Sequence, residues 1–240
     1  MRTISVILLM ILSGSMLTAQ ERPETTNTTE KQEARSEILL QAEKGKQHNH
    51  PLYAIWLADN CGRYIQTLFV SESIGKGVFK RGSRRTGRWM PGEIARPASL
   101  PYWIHQRNVT NEKGTLLPTT QSPVADAYTG ATPKNSFKKQ LQSDQPLRGK
   151  YRIYLEVNQS WDWNEYWTNN RYPGNKEYMT SSQPALVYMA EIDSDNPGLS
   201  VPLTPIGHSH YAGENGELFT DLSTITTALD ILKEVTVTIR

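Results

Sequence analysis

The sequence predicts a mainly β chain, an antiparallel immunoglobulin-like β-sandwich with long loops and one or two short helices. Three observations carry that expectation. Short apolar stretches alternate with period two, turn residues cluster between them, and strand patterns stand at both ends of the body, from Leu52 and again up to Ile239. The 16 Gly and 14 Pro of the 240 residues concentrate in the connections, as strand-rich domains require.

Taken in chain order, the first element is Met1-Arg2-Thr3, an apolar run from Ile4 to Leu12, and a small-residue stretch ending at Ala19 before Gln20. This is the pattern of a signal peptide over residues 1–19: the run is too short to span a bilayer, and Ala19 suits the cleavage position. The expected product is periplasmic or secreted, soluble and not membrane-spanning. Residues 20–50 read as a polar linker, in which Ala34, Ile38, Leu39 and Ala42 predict one short amphipathic helix capped by Thr29 and ended at Gly45. The sandwich is expected over residues 51–240.

Within it, Leu52–Ala58 is apolar on both alternating sets, and Asp59-Asn60-Cys61-Gly62 supplies turn chemistry before Arg63–Val70, which predicts a hairpin. Lys150–Val157 puts Tyr151, Ile153, Leu155 and Val157 on one face and Arg152, Tyr154 and Glu156 on the other, the pattern of a half-buried strand. Leu186–Ile192 and Val235–Ile239 repeat it. Leu222, Ile225, Leu229 and Leu232 recur at helical spacing, and Arg96–Arg107 reads as a helix broken by Pro101.

Charge and cysteine content exclude several classes of function. With 26 basic against 24 acidic residues the net charge is +2, far from the basic excess of a dedicated nucleic-acid binder. The single cysteine, Cys61, excludes an internal disulfide framework and any all-cysteine metal site. No Gly-x-Ser-x-Gly elbow, phosphate loop or dinucleotide fingerprint occurs, and Glu156 with Glu165 would form a glycosidase pair only at a spatial separation that the sequence does not give. A non-catalytic protein is expected.

The sharpest local pattern is Asp126-Ala127-Tyr128-Thr129-Gly130-Ala131-Thr132, lying between Pro123 and Pro133. It resembles the attachment motif of FMN-binding domains, in which a flavin transferase joins FMN through a phosphoester to the last hydroxyl. That resemblance implies Thr132 as the acceptor, with Asp126, Tyr128, Thr129, Gly130 and Ala131 forming the cofactor loop. Small residues followed by proline also make an ordinary turn. Over Leu52–Arg240 the chain is similar to a family of periplasmic domains of unassigned role. The similarity rests on the Trp56, Asp59, Gly62 and Thr67-Leu68 hairpin, Leu100-Pro101-Tyr102-Trp103, the Thr129-Gly130-Ala131-Thr132 loop, Gly149-Lys150-Tyr151-Arg152-Ile153 with Glu156, and Gly207-His208 through Gly213 to Thr226-Thr227-Ala228. The resemblance implies an immunoglobulin-like fold similar to flagellar hook-cap domains, and a partner that is a flavin transferase or a membrane redox protein.

Four of the five histidines form two His-x-His pairs, His48/His50 and His208/His210. In an extended segment such a pair faces one way and can offer two imidazoles to Zn²⁺ or Cu²⁺, with His105, Asp221 or Glu214 completing a site. For the first pair a solvated linker before Pro51 is the plainer reading. The segment Trp161-Asp162-Trp163-Asn164-Glu165-Tyr166-Trp167, with Tyr172, Pro173 and Gly174 following, is the densest aromatic patch, able to stack on an isoalloxazine, a sugar or a partner protein, or to continue a strand inward. Lys76, Lys80, Arg81, Arg84, Arg85 and Arg88 form a basic run without an intervening acid, suited to solvent, to the FMN phosphate or to an acidic partner. Two functions follow: an accessory protein of flavin-based electron transfer, or a metal- or ligand-binding sandwich built on the His208/His210 loop.

Overall fold

Alternation of apolar side chains builds two sheets in the computed structural model, which describes residues 35–124 and 128–240. The signal peptide, the polar stretch to residue 34 and Asp126 lie outside the described residues. In chain order the elements are β1 (Glu37–Lys44), β2 (Leu52–Asp59), β3 (Tyr64–Ser71), α1 (Glu72–Gly75), β4 (Val78–Ser83), β5 (Met90–Glu93), α2 (Pro101–Arg107) and β6 (Tyr128–Gly130). Then come β7 (Phe137–Gln142), β8 (Lys150–Asn158), α3 (Tyr178–Ser181), β9 (Leu186–Asp193), β10 (Ser200–Pro202), β11 (Thr204–His208), a 3₁₀ turn over Thr227–Asp230, and β12 (Leu232–Ile239).

One sheet has the order β10-β12-β1-β7 and the other β11-β9-β8-β2-β3-β6, while β4 and β5 form a separate hairpin. Ile38, Leu40 and Ala42 of β1 and Val235, Val237 and Ile239 of β12 face Tyr53, Ile55 and Leu57 of β2 and Ile153, Leu155 and Val157 of β8, all in one buried cluster. The molecule is therefore mainly β and a sandwich. Its pairings are antiparallel except for β3 with β6, which run parallel.

Ile38, Leu39 and Ala42 of the expected helix lie in the strand β1, which pairs with β12 on one side and β7 on the other, so the sandwich begins before residue 51; Ala34 and the Thr29 cap lie outside the described residues. The apolar residues Ile38-Leu39-Leu40 satisfy both periodicities, and cross-strand pairing decides between them. The helical spacing from Leu222 to Leu232 yields only the short 3₁₀ turn, and Leu232 already belongs to β12. Pro101 does not break a helix but begins one, at the N-terminal position where its missing N–H costs nothing.

The β2–β3 hairpin follows its turn residues closely. Asp59 Oδ1 accepts the N–H groups of Cys61 and Arg63, each at 2.9 Å, and Gly62 takes φ = +86°, a conformation that glycine adopts without a Cβ penalty. Strand β8 is buried on both faces rather than one, because the second sheet carries a further layer on its outer side. There Ala54, Trp56, Val70, Tyr154 and Val187 pack against Leu100, Trp103 and Ile104 around α2.

Glu156 is the one carboxylate inside this layer, with no exposed surface. It accepts the backbone N–H of Tyr102 at 3.1 Å and of Trp103 at 2.7 Å. Leu100, the N-cap residue of α2, has no side chain for this purpose, so the carboxyl oxygens of Glu156 from the sheet satisfy the first free N–H groups of the helix. Trp103 is held a second time by its indole Nε1–H, which donates to Thr67 Oγ1 at 3.0 Å.

Candidate functional site

Two cavities take up the residues singled out by the sequence. The first lies beside the Thr-Gly-Ala-Thr segment. Tyr128–Gly130 adds to the edge of the larger sheet with Thr129 opposite Val70 and Gly130 opposite Ser71. Thr129 is turned toward α1: a Cβ on Gly75 would stand 2.9 Å from the Thr129 methyl, so the two segments meet with room only for glycine. The strand ends at Gly130, leaving Ala131 exposed and Thr132 half-buried in the segment that follows.

Ala131 and Thr132 border a cavity of about 550 Å³, whose other walls come from α1, the β4–β5 hairpin and His50. Phe79, Val78 and Pro91 supply apolar surface, and Lys76, Lys80 and Lys134 supply positive charge. One of these charges is already matched, since Lys76 Nζ lies 2.7 Å from Glu72 Oε1. Of the basic run, only Lys76 and Lys80 reach this cavity.

The second cavity, of about 320 Å³, is bordered by His208, His210, Trp167, Tyr172, Tyr211 and Phe219, with Asp221 and Thr224 among its polar groups. Here the structure unites the histidine loop with one end of the aromatic patch. His208 ends β11 and exchanges backbone hydrogen bonds with Phe219, both at 2.8 Å. Its ring lies parallel to that of Phe219 at 5.4 Å and meets Trp167 edge-on at 6.0 Å. Nδ1–H donates to the Ser209 carbonyl at 2.9 Å, leaving Nε2 as the acceptor of the neutral ring. Burial lowers the pKa of His208, against the opposing pull of that carbonyl and of Asp221.

His210 differs in its engagement, because its Nδ1 accepts the N–H of Ala212 at 3.2 Å and of Glu214 at 3.4 Å. Gly213 holds the loop in place with φ = +74°, where a Cβ would fall 2.1 Å from the Pro97 carbonyl oxygen. His105 is directed elsewhere, its Nε2 lying 3.5 Å from the Gly213 carbonyl. Among the described residues, no three His, Cys, Asp or Glu side chains gather closely enough to hold a metal ion.

Other sequence candidates separate. His50 takes φ = +57°, so the His48-Asn49-His50 segment is not extended and the same-face argument for that pair fails. Trp161 is 70% exposed, whereas Trp163 and Trp167 pack into the core with Tyr178. Glu165 is exposed, and Glu156 is sealed beneath α2 where no substrate reaches it. Tyr172 follows the aromatic patch in the sequence and reaches this cavity with it, whereas sequence reasoning missed Tyr211 and Phe219 as cavity walls. Tyr172 and Tyr211 stack at 3.9 Å and 4° from loops 39 positions apart, and no local pattern announces that pairing.

No protein-family model, no curated protein and no solved structure matches the chain. Among the described residues, no helix is long and apolar enough to cross a membrane.

Proposed function

We propose that the chain is an exported, non-catalytic accessory protein of flavin-based electron transfer outside the cytoplasm, carrying FMN as a phosphoester on Thr132. The observation that supports this reading most is the cavity of about 550 Å³ beside Thr132, within the usual size range of small-molecule sites. Its chemistry suits a phosphorylated planar ring: Lys80 and Lys134 can match phosphate charge, and Phe79, Val78 and Pro91 offer apolar surface to an isoalloxazine. The flavin supplies the redox chemistry. Thr132 would supply the hydroxyl oxygen that bonds to phosphorus, its proton passing to a base of the transferase while the P–O–P bond of a flavin dinucleotide breaks and the nucleotide half leaves as AMP. Thr129 is the only other threonine of the motif, and its contact with Gly75 makes it the poorer acceptor. The partners are then a flavin transferase and a membrane redox protein. Co-expression with a flavin transferase, followed by intact mass and a visible spectrum, tests the reading: added flavin mass supports it, and the bare polypeptide mass overturns it.

A second reading is favoured by the meeting of Trp167, Tyr172 and Tyr211 with His208 around the smaller cavity. Aromatic faces beside the Nε2 acceptor of His208 and the Asp221 carboxylate suit a small ring compound bearing hydroxyl groups, such as a sugar. Titration with monosaccharides, read by tryptophan fluorescence and repeated on Tyr211→Ala, decides it. A saturable change lost in the variant is the supporting result.

A further inference from the structure

The β4–β5 hairpin belongs to neither main sheet, and its base and tip differ in character. At the base, Phe79 packs against the buried cluster around α2. Beyond it the strands pinch together: a Cβ on Gly82 would lie 2.1 Å from the Gly92 carbonyl oxygen. The tip then closes in a turn, with the Gly87 N–H donating to the Arg84 carbonyl at 2.9 Å and Gly87 at φ = +76°. Every residue from Arg84 to Pro91 is exposed.

The composition of this projection is unlike that of the rest of the chain. Lys76, Lys80, Arg81, Arg84, Arg85 and Arg88 bring six positive charges between Lys76 and Gly92 with no acid among them, in a protein whose net charge is only +2. Glu72 is paired with Lys76 at the base and does not neutralise the tip. Trp89 and Met90, adjacent in sequence, are 57% and 48% exposed, and the Arg84 guanidinium lies 5.0 Å from the Trp89 ring. Leaving an indole and a thioether in water costs free energy unless another phase receives them.

We infer that this hairpin docks the protein on an anionic phospholipid surface, its arginines meeting lipid phosphates while Trp89 and Met90 enter the headgroup layer. Charge and apolar tip together specify this occupant. Arginine pairs with phosphate in a bidentate fashion, and tryptophan prefers the interface because its ring is apolar while its N–H still finds a polar partner. A nucleic-acid surface needs a basic track with several stacking rings, whereas the hairpin offers one indole on a convex tip. The inference stands apart from flavin attachment. Because Phe79 and Pro91 also border the Thr132 cavity, docking would bring that cavity toward the membrane surface.

Co-sedimentation of the exported chain, beginning at Gln20, with lipid vesicles tests it. Vesicles of phosphatidylcholine containing about one-third phosphatidylglycerol are expected to bind the chain, pure phosphatidylcholine far less, and salt at about 0.5 M should release it by screening. Arg84→Ala/Arg85→Ala/Arg88→Ala should weaken binding on the order of a hundredfold, at about fivefold per cation. Trp89→Ala should weaken it about tenfold and remove the lipid-induced blue shift of fluorescence. Both variants change only exposed residues, so an unchanged melting temperature verifies the fold. Equal binding to neutral and anionic vesicles, undiminished binding of the triple-arginine variant, or tighter binding to a single-stranded oligonucleotide than to the anionic vesicles would each overturn the proposal.

Discussion

Glu156 Oε2 accepts the backbone N–H of Trp103 at 2.7 Å, linking the middle of the larger sheet to the first turn of the helix lying on it. Burial pushes the Glu156 carboxyl up to about 8, although the N–H groups of Trp103 and Tyr102 and the Ser209 hydroxyl favour its charged form. The folded state therefore holds the proton more tightly than the unfolded chain, whose carboxyl titrates near 4.5. Between these two values the folded state binds more protons at this group, so its contribution to stability is greatest below about 4.5 and falls as pH rises toward 8. Urea unfolding at the two ends of that window should show a loss on the order of a few kcal/mol from this group. Glu156→Gln, which cannot ionise, should flatten the slope; an equally steep slope in the variant would show that another group is responsible.

Leu40 tests whether β1 belongs to the sandwich. Leu40 is fully buried and faces the shared core, whereas Leu39 is half-buried on the outer face beside Thr238 and Gln140. Leu40→Ala should cost about 3 kcal/mol and Leu39→Ala about 1 kcal/mol or less, measured by denaturant unfolding. Two neutral substitutions would return residues 37–44 to the linker.

The β2–β3 hairpin is readable in the sequence because Asp59 and Gly62 are chemically suited to one turn. β1 is not, because three successive apolar residues fit helix and strand alike and only the partners on both sides choose. The double-sided apolarity of Leu52–Ala58 reveals that something covers the outer face of the sheet. It does not reveal that the cover is a seven-residue helix started by Pro101 and capped by a glutamate 53 positions away. The sites divide similarly. Thr132 lies in a local motif, but Phe79 and Pro91 reach its cavity from a hairpin about forty to fifty residues earlier.

Gly213 carries a prediction for the smaller cavity. Its φ of +74° and the Pro97 carbonyl 2.1 Å from any added Cβ leave no strain-free place for alanine. Gly213→Ala should cost about 2–3 kcal/mol. Its loop positions His210 and Tyr211, so the near-ultraviolet circular dichroism of the aromatic cluster should change as well. A wild-type spectrum with wild-type stability would show that the loop yields freely.

Lys80 and Lys134 separate the acceptor hydroxyl from its surroundings. Thr132→Ala should abolish covalent flavin, Thr132→Ser should retain it, and neither should change stability by more than about 0.5 kcal/mol, because the side chain is only half-buried in a segment outside the sheets. Replacing both lysines by alanine leaves the hydroxyl in place but removes two of the positive charges at the cavity. If those charges match the phosphate, attachment by the same transferase should slow on the order of tenfold, since a hydrogen bond to a charged group is worth about 1.5–3 kcal/mol. The readout is the fraction of protein carrying flavin mass against time of incubation. Full-rate attachment in the double-lysine variant would mean that the transferase alone positions the phosphate, with the cavity accepting only the ring. Attachment persisting in Thr132→Ala would move the acceptor to another hydroxyl, and Thr129→Ala in the same background would identify whether it is the neighbouring threonine.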